Sequence, residues 1–120
     1  MLALLNDDPP RLVADHHEPA RGPDDVLLGM LLAGVCDTDL QLSRGYMAYR
    51  GVLGHEFVGV ATSGPYAGRR VVGEINCSCT RCAMCRRGLP SHCSSRTVLG
   101  ILNHDGAFAD RIAVPQRRHG

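Results

Sequence analysis

The chain has 120 residues, of which 44% are hydrophobic, and its 13 basic and 12 acidic residues give a formal net charge of +1 at pH 7. A chain of this length fits one domain with one modest core. The balanced charge gives no electrostatic reason to expect nucleic acid or an anionic membrane as a partner. No apolar run approaches the roughly 18 residues of a membrane span, and the first residues do not resemble a signal peptide, so we expect a cytoplasmic protein.

The first half of the chain predicts three strands and one short helix. Strands are expected over residues 1–6 and 11–15, because Pro9 and Pro10 between them cannot donate to a strand ladder. The continuous apolar run at residues 26–33 predicts a strand that is buried on both faces. The polar residues that follow predict a helix of two turns over residues 36–43, ended by Gly45.

The second half predicts further short strands at residues 52–61, 69–75, 97–102 and 107–114. The tripeptide His104-Asp105-Gly106 lies between the last two strands and predicts a hairpin connection. Short strands separated by glycine and proline indicate a mainly β domain with a barrel-like sheet.

The adjacent histidines His16 and His17 could suggest a metal site. On an extended chain, however, neighbouring side chains point to opposite faces and do not reach one ion. We therefore expect a solvated strand end at this position.

Four cysteines dominate the middle of the chain. Cys79, Cys82, Cys85 and Cys93 follow the spacing C-x2-C-x2-C-x7-C. Such a spacing allows four thiolates to surround one tetrahedral zinc ion in a closed, structural site. In zinc-finger peptides, zinc binding contributes roughly 10–16 kcal/mol of folding free energy, which would order a loop with little apolar content.

Disulfides or unligated thiols are alternative roles for these cysteines. A secreted disulfide scaffold spreads its cysteines along the chain, whereas five of the six cysteines here fall within residues 77–93. Cys77 is expected to point away from the zinc and to remain a reducible thiol. Redox sensing through Cys77 and its neighbours is a further alternative, although zinc-bound thiolates are poor nucleophiles.

A second set of potential ligands is spread over two segments. Cys36 and the pair His55-Glu56 place metal-binding side chains where apolar residues would be enough, and Asp39 could hold the ring of His55. Thr38 offers a hydroxyl group nearby. The spacing alone leaves two interpretations open, because a single cysteine is usually a small core residue and a single histidine often is one too.

Several segments, in this order, resemble one enzyme family. They are Gly34-Val35-Cys36-Asp37-Thr38-Asp39, Gly54-His55-Glu56-Phe57-Val58-Gly59, Gly68-Arg69-Arg70-Val71, the four-cysteine loop with Gly88, Asp105-Gly106-Ala107-Phe108-Ala109-Asp110 and Val114-Pro115. Together they resemble the N-terminal GroES-like catalytic domain of the zinc-dependent medium-chain alcohol/polyol dehydrogenases. The resemblance extends from about Leu2 to Pro115.

The resemblance implies a GroES-like, partly open β-barrel over residues 1–120, with a short helix and a zinc lobe at residues 77–93. Cys36 and His55 resemble catalytic-zinc ligands, with Glu56 as an exchangeable ligand or a neighbour of the site. Thr38 resembles the hydroxyl that takes the proton of the alcohol, and Asp39 resembles the carboxylate behind His55. The four-cysteine loop resembles the structural-zinc lobe.

The implied reaction is oxidation of a small-molecule alcohol, polarised by zinc, with hydride transfer to NAD or NADP. No Gly-x-Gly-x-x-Gly motif occurs in the sequence, so we expect no nucleotide-binding domain here and cofactor binding only when a Rossmann domain is supplied. The family's remaining catalytic-zinc ligand would come after residue 120. We therefore expect the isolated chain to bind zinc with little or no turnover and to self-associate as a homo-oligomer. A stand-alone, non-catalytic zinc-binding module is the alternative.

Overall fold

In a computed structural model of the chain, residues 1–7, 9–22, 25–73 and 75–115 are described. The strands are β1 (Ala3–Leu5), β2 (Arg11–Val13), β3 (Asp25–Gly34), β4 (Glu56–Ala61), β5 (Arg70–Val71), β6 (Asn76–Cys77), β7 (Thr97–Val98) and β8 (Arg111–Pro115). Two α-helices, α1 (Asp37–Ser43) and α2 (Ala83–Arg86), and two 3-10 turns, Tyr46–Ala48 and Pro90–His92, complete the elements. The mainly β prediction is confirmed.

The strands form three antiparallel sheets. The largest has the order β5-β4-β3-β8, and β1-β2 and β6-β7 form two-stranded sheets. Isolated bridges join Ala3 to Ala109 and Leu5 to Val52, so the first hairpin is tied to the segments that precede β8 and β4. These cross-connections bring the N-terminus beside the segment that leads to His55.

Two apolar clusters support this arrangement. The main cluster contains Leu28, Phe57, Leu99 and Ile112, which the four-stranded sheet and the turn after β7 supply. A second cluster packs Leu42 of α1 against Tyr49 and Leu53. Complete burial of Leu42 fixes the helix against the chain that leads to His55. A buried leucine of this kind contributes roughly 2–5 kcal/mol as judged by truncation to alanine.

The strand at residues 26–33 is confirmed, but its predicted burial on both faces is wrong. Leu28 is 3% exposed, whereas Leu31 and Leu32 are 56% and 70% exposed. The reason is that β8 pairs with β3 only from Asp25 to Gly29, and the second half of β3 has β4 as its only strand neighbour among the described residues. The apolar run therefore predicted the strand correctly but did not predict which of its side chains are buried.

The predicted hairpin at His104-Asp105-Gly106 is also wrong. β7 ends at Val98 and pairs with β6, while β8 begins at Arg111 and pairs with β3. The residues between them form turns whose backbone groups bond to the segment before β4: Gly106 N–H donates to the Val52 carbonyl and Phe108 N–H to the Leu53 carbonyl. The glycine and apolar residues of this segment allow it to cross close to the chain before β4, and they do not pair as strands of a hairpin.

Other predicted boundaries differ less. The short helix at residues 36–43 is confirmed as α1, while the strands expected at 52–61 and 69–75 are shorter, and residue 74 lies outside the described residues. None of the helices in the described part of the chain has the length and apolar content needed to cross a bilayer.

Candidate zinc centres

Cys36 and His55, which are 19 positions apart in sequence, meet at the start of α1. The Cys36 Sγ lies 3.0 Å from the His55 Nε2. The Asp39 Oδ1 lies 3.4 Å from the other ring nitrogen, His55 Nδ1, and both side chains are nearly inaccessible to solvent. One cysteine sulfur, one imidazole nitrogen and one carboxylate oxygen thus lie within 4.8 Å of one another.

The start of α1 positions Cys36. This residue has extended backbone angles and is the N-cap of the helix. Asp39, at the third helical position, accepts a hydrogen bond from the Cys36 N–H through Oδ2 at 3.0 Å. A carboxylate at this position satisfies an N-terminal donor and lies favourably in the helix dipole. Asp39 therefore holds the backbone of Cys36 and at the same time lies beside the ring of His55.

Asn6 positions the other end of α1, and it was not among the residues predicted to matter for the site. Its buried side-chain amide donates to the carbonyls of Leu42 and Tyr49 at 2.9 and 2.8 Å. The last carbonyls of a helix have no hydrogen-bond donor within the helix, and the Asn6 amide supplies a donor that water would otherwise supply. A polar residue that ends a short apolar strand was the only signal.

A close crossing of three glycine backbones places His55. Gly54 has φ +106°, a conformation that favours glycine, and its carbonyl accepts the Ala107 N–H at 2.9 Å. A Cβ on Gly100 or on Gly106 would lie only 2.3 Å from that same carbonyl oxygen. The chain before His55 is thus held between two loops that approach it as closely as backbones can.

The His55 Nδ1 and the Asp39 Oδ1, which are both buried, indicate whether a metal fits this centre. The contact of 3.4 Å between the His55 Nδ1 and the Asp39 Oδ1 is not aligned as a hydrogen bond, and neither atom has a hydrogen-bond partner among the described residues. Buried polar atoms are normally paired. A metal on Nε2 would keep the proton on Nδ1, directed at the carboxylate, as outer carboxylates do in zinc sites. The thiol and imidazole donors suit zinc.

Thr38 and Glu56 lie at the edge of this group. Thr38 is half-buried in the first turn of α1, two residues after Cys36. Glu56 is exposed at the start of β4 opposite Gly34, whose Cβ would lie 3.2 Å from the Glu56 Oε2. The Glu56 carboxylate is not among the atoms grouped with Cys36, Asp39 and His55. Its role as an exchangeable ligand stays a prediction.

The four cysteines of the C-x2-C-x2-C-x7-C motif form a second group, with their sulfur atoms within 4.8 Å of one another. The Cys82 Sγ and Cys85 Sγ are 3.5 Å apart, and the Cys79 Sγ and Cys85 Sγ are 4.0 Å apart. Tetrahedral zinc with bonds of about 2.3 Å places its sulfur ligands about 3.8 Å apart. The donor set and the spacing therefore both fit a closed zinc site.

Backbone N–H groups of the four-cysteine loop donate hydrogen bonds to its sulfur atoms. The Arg81 and Cys82 N–H groups donate to the Cys79 Sγ at 3.4 and 3.2 Å. Together with a contact from Cys93, these bonds lower the pKa of Cys79 to about 6, whereas desolvation raises the pKa of Cys85 to about 11. The N–H groups stabilise negative charge on sulfur, as a thiolate cluster around a cation requires.

Cys77 lies outside the four-cysteine group, as expected from its position. It is 4% exposed, and its thiol contacts the Ile75 carbonyl at 3.8 Å. All six cysteines lie in the described part of the chain, and none of them forms a disulfide.

The prediction of a solvated strand end at His16-His17 is wrong for His16, whose side chain is 13% exposed, whereas His17 is exposed as expected. The two ring centroids are 4.2 Å apart, and the His16 Nε2 lies 2.9 Å from the Asp105 Oδ2. The cause is that β2 ends at Val13, so the alternation of an extended strand does not apply to these residues. His16, His17 and Asp105 form a third group of potential ligands, which no sequence signal indicated because Asp105 is 89 positions from His16.

The fold and these centres can be compared with known proteins. The protein-family model of the alcohol dehydrogenase GroES-like domain matches residues 22–119 of the sequence. The chain belongs to this family. Its similarity to an L-threonine 3-dehydrogenase of Streptomyces avermitilis is 39% identity, covering 96% of this chain and 37% of that protein.

Solved structures agree with the family assignment. The alcohol dehydrogenase TADH of Thermus sp. ATN1 is 32% identical over 96% of this chain and 37% of its own, with a TM-score of 0.78. The alcohol dehydrogenase RspB of Escherichia coli CFT073, solved with NADH, is 33% identical over 96% of this chain and 36% of its own, with a TM-score of 0.76. The GroES-like domain thus spans about 37% of the length of the relatives it matches.

Proposed function

We propose that the chain is the zinc-carrying catalytic domain of an alcohol or polyol dehydrogenase that passes a hydride to NAD or NADP. The proposal assigns residues 1–120 to this domain and residues 77–93 to its zinc lobe. It is supported by the 3.0 Å approach of the Cys36 Sγ to the His55 Nε2 in a chain of the alcohol dehydrogenase GroES-like family. The neighbouring carboxylate of Asp39 adds to this support.

Each residue of the centre has a defined task in this proposal. A zinc ion held by Cys36 and His55 would polarise the oxygen of the alcohol. Asp39 keeps the His55 ring in the orientation and tautomer that leave Nε2 to the metal. Thr38 takes the proton of the alcohol hydroxyl, and Glu56 approaches the centre when water leaves.

The four-cysteine loop has a supporting task. Cys79, Cys82, Cys85 and Cys93 would hold a structural zinc, which orders a segment that contains only a four-residue helix and a 3-10 turn. Such a segment buries too little apolar surface to offset its loss of conformational entropy. NAD or NADP would bind through a nucleotide-binding domain supplied together with this one.

A fusion tests the proposal. The chain is joined to the remaining part of the Streptomyces avermitilis L-threonine 3-dehydrogenase, loaded with zinc, and assayed with NAD and NADP against L-threonine, simple alcohols and polyols. We expect cofactor reduction with at least one alcohol and its loss in His55→Ala, whereas His92→Ala, which changes an exposed histidine outside the three ligand groups, keeps it. A folded, zinc-loaded fusion that oxidises none of them would contradict the proposal.

A non-catalytic zinc-binding module is the second candidate. It is favoured by the donor set of the Cys36 centre, where the described residues supply only one sulfur, one imidazole and the Asp39 carboxylate within 4.8 Å of one another. Metal counting separates the two. One zinc per chain, lost in Cys82→Ser, indicates a structural lobe alone, whereas a second zinc that His55→Ala removes indicates a formed catalytic centre.

A further inference from the structure

The third ligand group lies away from the two thiolate centres. His16 and His17 follow β2, and Asp105 lies in the turns between β7 and β8. One ring nitrogen of each histidine and one carboxylate oxygen of Asp105 lie within 4.8 Å of one another. Two ligands that are each about 2.1 Å from a zinc ion are at most about 4.2 Å apart. The separations of the three atoms therefore exceed this limit by at most about 0.6 Å.

Two of the three side chains are held in place by main-chain groups. The Asp105 Oδ1 accepts the Val52 N–H at 3.1 Å, which leaves Oδ2 directed at the His16 Nε2 at 2.9 Å. The His17 Nδ1 lies 2.9 Å from the Glu18 carbonyl oxygen, which can only accept, so Nδ1 carries the proton and Nε2 carries the lone pair. Metal-binding histidines show this same arrangement, with the second ring N–H donated to a carbonyl.

The surroundings suit a cation with room for further ligands. The Asp105 carboxylate is partly buried, with its side chain 38% exposed, and its Oδ1 is held by the Val52 N–H, so Oδ2 is the oxygen available to a cation. A cavity of about 210 Å³ borders His17 and Asp105. Arg111, which also lines this cavity, is paired with Glu18 through two hydrogen bonds from its Nε, so its charge is compensated.

We propose that His16, His17 and Asp105 form a third metal site, which binds a divalent transition-metal ion such as zinc through two imidazoles and one carboxylate and leaves a coordination position open. Two histidines and one carboxylate are a common ligand set for such ions. The site is independent of both thiolate centres and does not depend on the proposed dehydrogenase activity. It would clamp the end of the first hairpin to the loop that carries Gly106.

The test uses the full chain, loaded with zinc and then dialysed so that the thiolate centres are filled. Further zinc is titrated while histidine ring nitrogens are followed by NMR and heat by calorimetry. We expect one additional equivalent to shift the ring signals of His16 and His17 and to leave that of His92 unchanged. His17→Gln and Asp105→Asn should weaken this binding by about 10-fold or more, whereas His92→Gln and Asp15→Asn should not.

The variants keep the test decisive. His17 is exposed, so His17→Gln should fold even if Asp105→Asn does not, and circular dichroism checks both. Absence of an additional zinc equivalent would overturn the proposal and leave the His16–Asp105 pair as a purely structural contact. Additional zinc that binds equally well to His17→Gln would also overturn it, because the ion would then lie elsewhere on the surface.

Discussion

Asp39→Asn tests whether the buried carboxylate behind His55 supports metal binding. The substitution keeps the size of the side chain and an oxygen that can accept the Cys36 N–H, but it removes the negative charge 3.4 Å from the His55 Nδ1. Two unit charges at that distance interact by about 5 kcal/mol at an effective dielectric constant of about 20. A metal-bound imidazole carries only part of a unit charge, so we expect a loss of about 1.4–2.7 kcal/mol, or 10–100-fold in metal affinity.

The assay is a cobalt titration of the chain after one equivalent of zinc has filled the four-cysteine loop. Cobalt at Cys36 gives a thiolate charge-transfer band, which reports occupancy of this centre alone. Asp37→Asn is the matched control, because Asp37 carries the same charge in the same helical turn but is exposed. Equal cobalt affinity of the Asp39→Asn variant and the unmodified chain would refute the reasoning, as would an equal loss in Asp37→Asn.

Three further predictions concern stability and association. Gly106→Ala places a Cβ 2.3 Å from a backbone carbonyl oxygen and should lower the free energy of unfolding by about 1–3 kcal/mol; Gly29→Ala, with open space around its Cβ, should not, and equal urea midpoints would contradict this. The lowered pKa of Asp105 means that its contribution to stability is present above the ordinary carboxyl pKa and lost as the pH falls through the lowered value. Asp105→Asn should therefore lower the free energy of unfolding by about 1 kcal/mol at pH 7 and by less in acid, whereas Asp15→Asn should leave it unchanged. A loss in Asp105→Asn that does not depend on pH, measured by urea titration, would contradict this. The 70% exposed Leu32 should promote self-association of the isolated chain, which Leu32→Asp reduces; a monomer of the unmodified chain at high concentration in sedimentation velocity would contradict this.

Local patterns predicted the elements whose causes are local. The short helix α1, the strand at residues 26–33 and the cysteine loop each depend on a pattern that is visible within a few residues. The cysteine spacing placed four sulfur atoms together because the loop is too short to separate them. In contrast, the exposure of Leu32 depends on where β8 ends, which no pattern in β3 contains.

Contacts between segments that are distant in the chain could not be predicted from local sequence patterns. His16 and Asp105 are 89 positions apart, and they meet because the N-terminal hairpin is bridged to Ala109. The apolar segment around residue 100 predicted a strand, but the left-handed backbone of Gly100 and its packing on the Gly54 carbonyl make it a turn. Asn6 was missed for the same reason, since both of its acceptors lie more than 30 positions away.

We infer that this chain binds zinc through the four cysteines and, separately, through Cys36 and His55. Elemental analysis of the purified chain under reducing conditions, before and after dialysis against a strong chelator, tests it most directly. We predict two zinc ions per chain, one lost in Cys82→Ser and the other in His55→Ala, and unfolding of residues 77–93 when the chelator removes the metal. A chain that is fully folded under reducing conditions without any bound metal would contradict the claim.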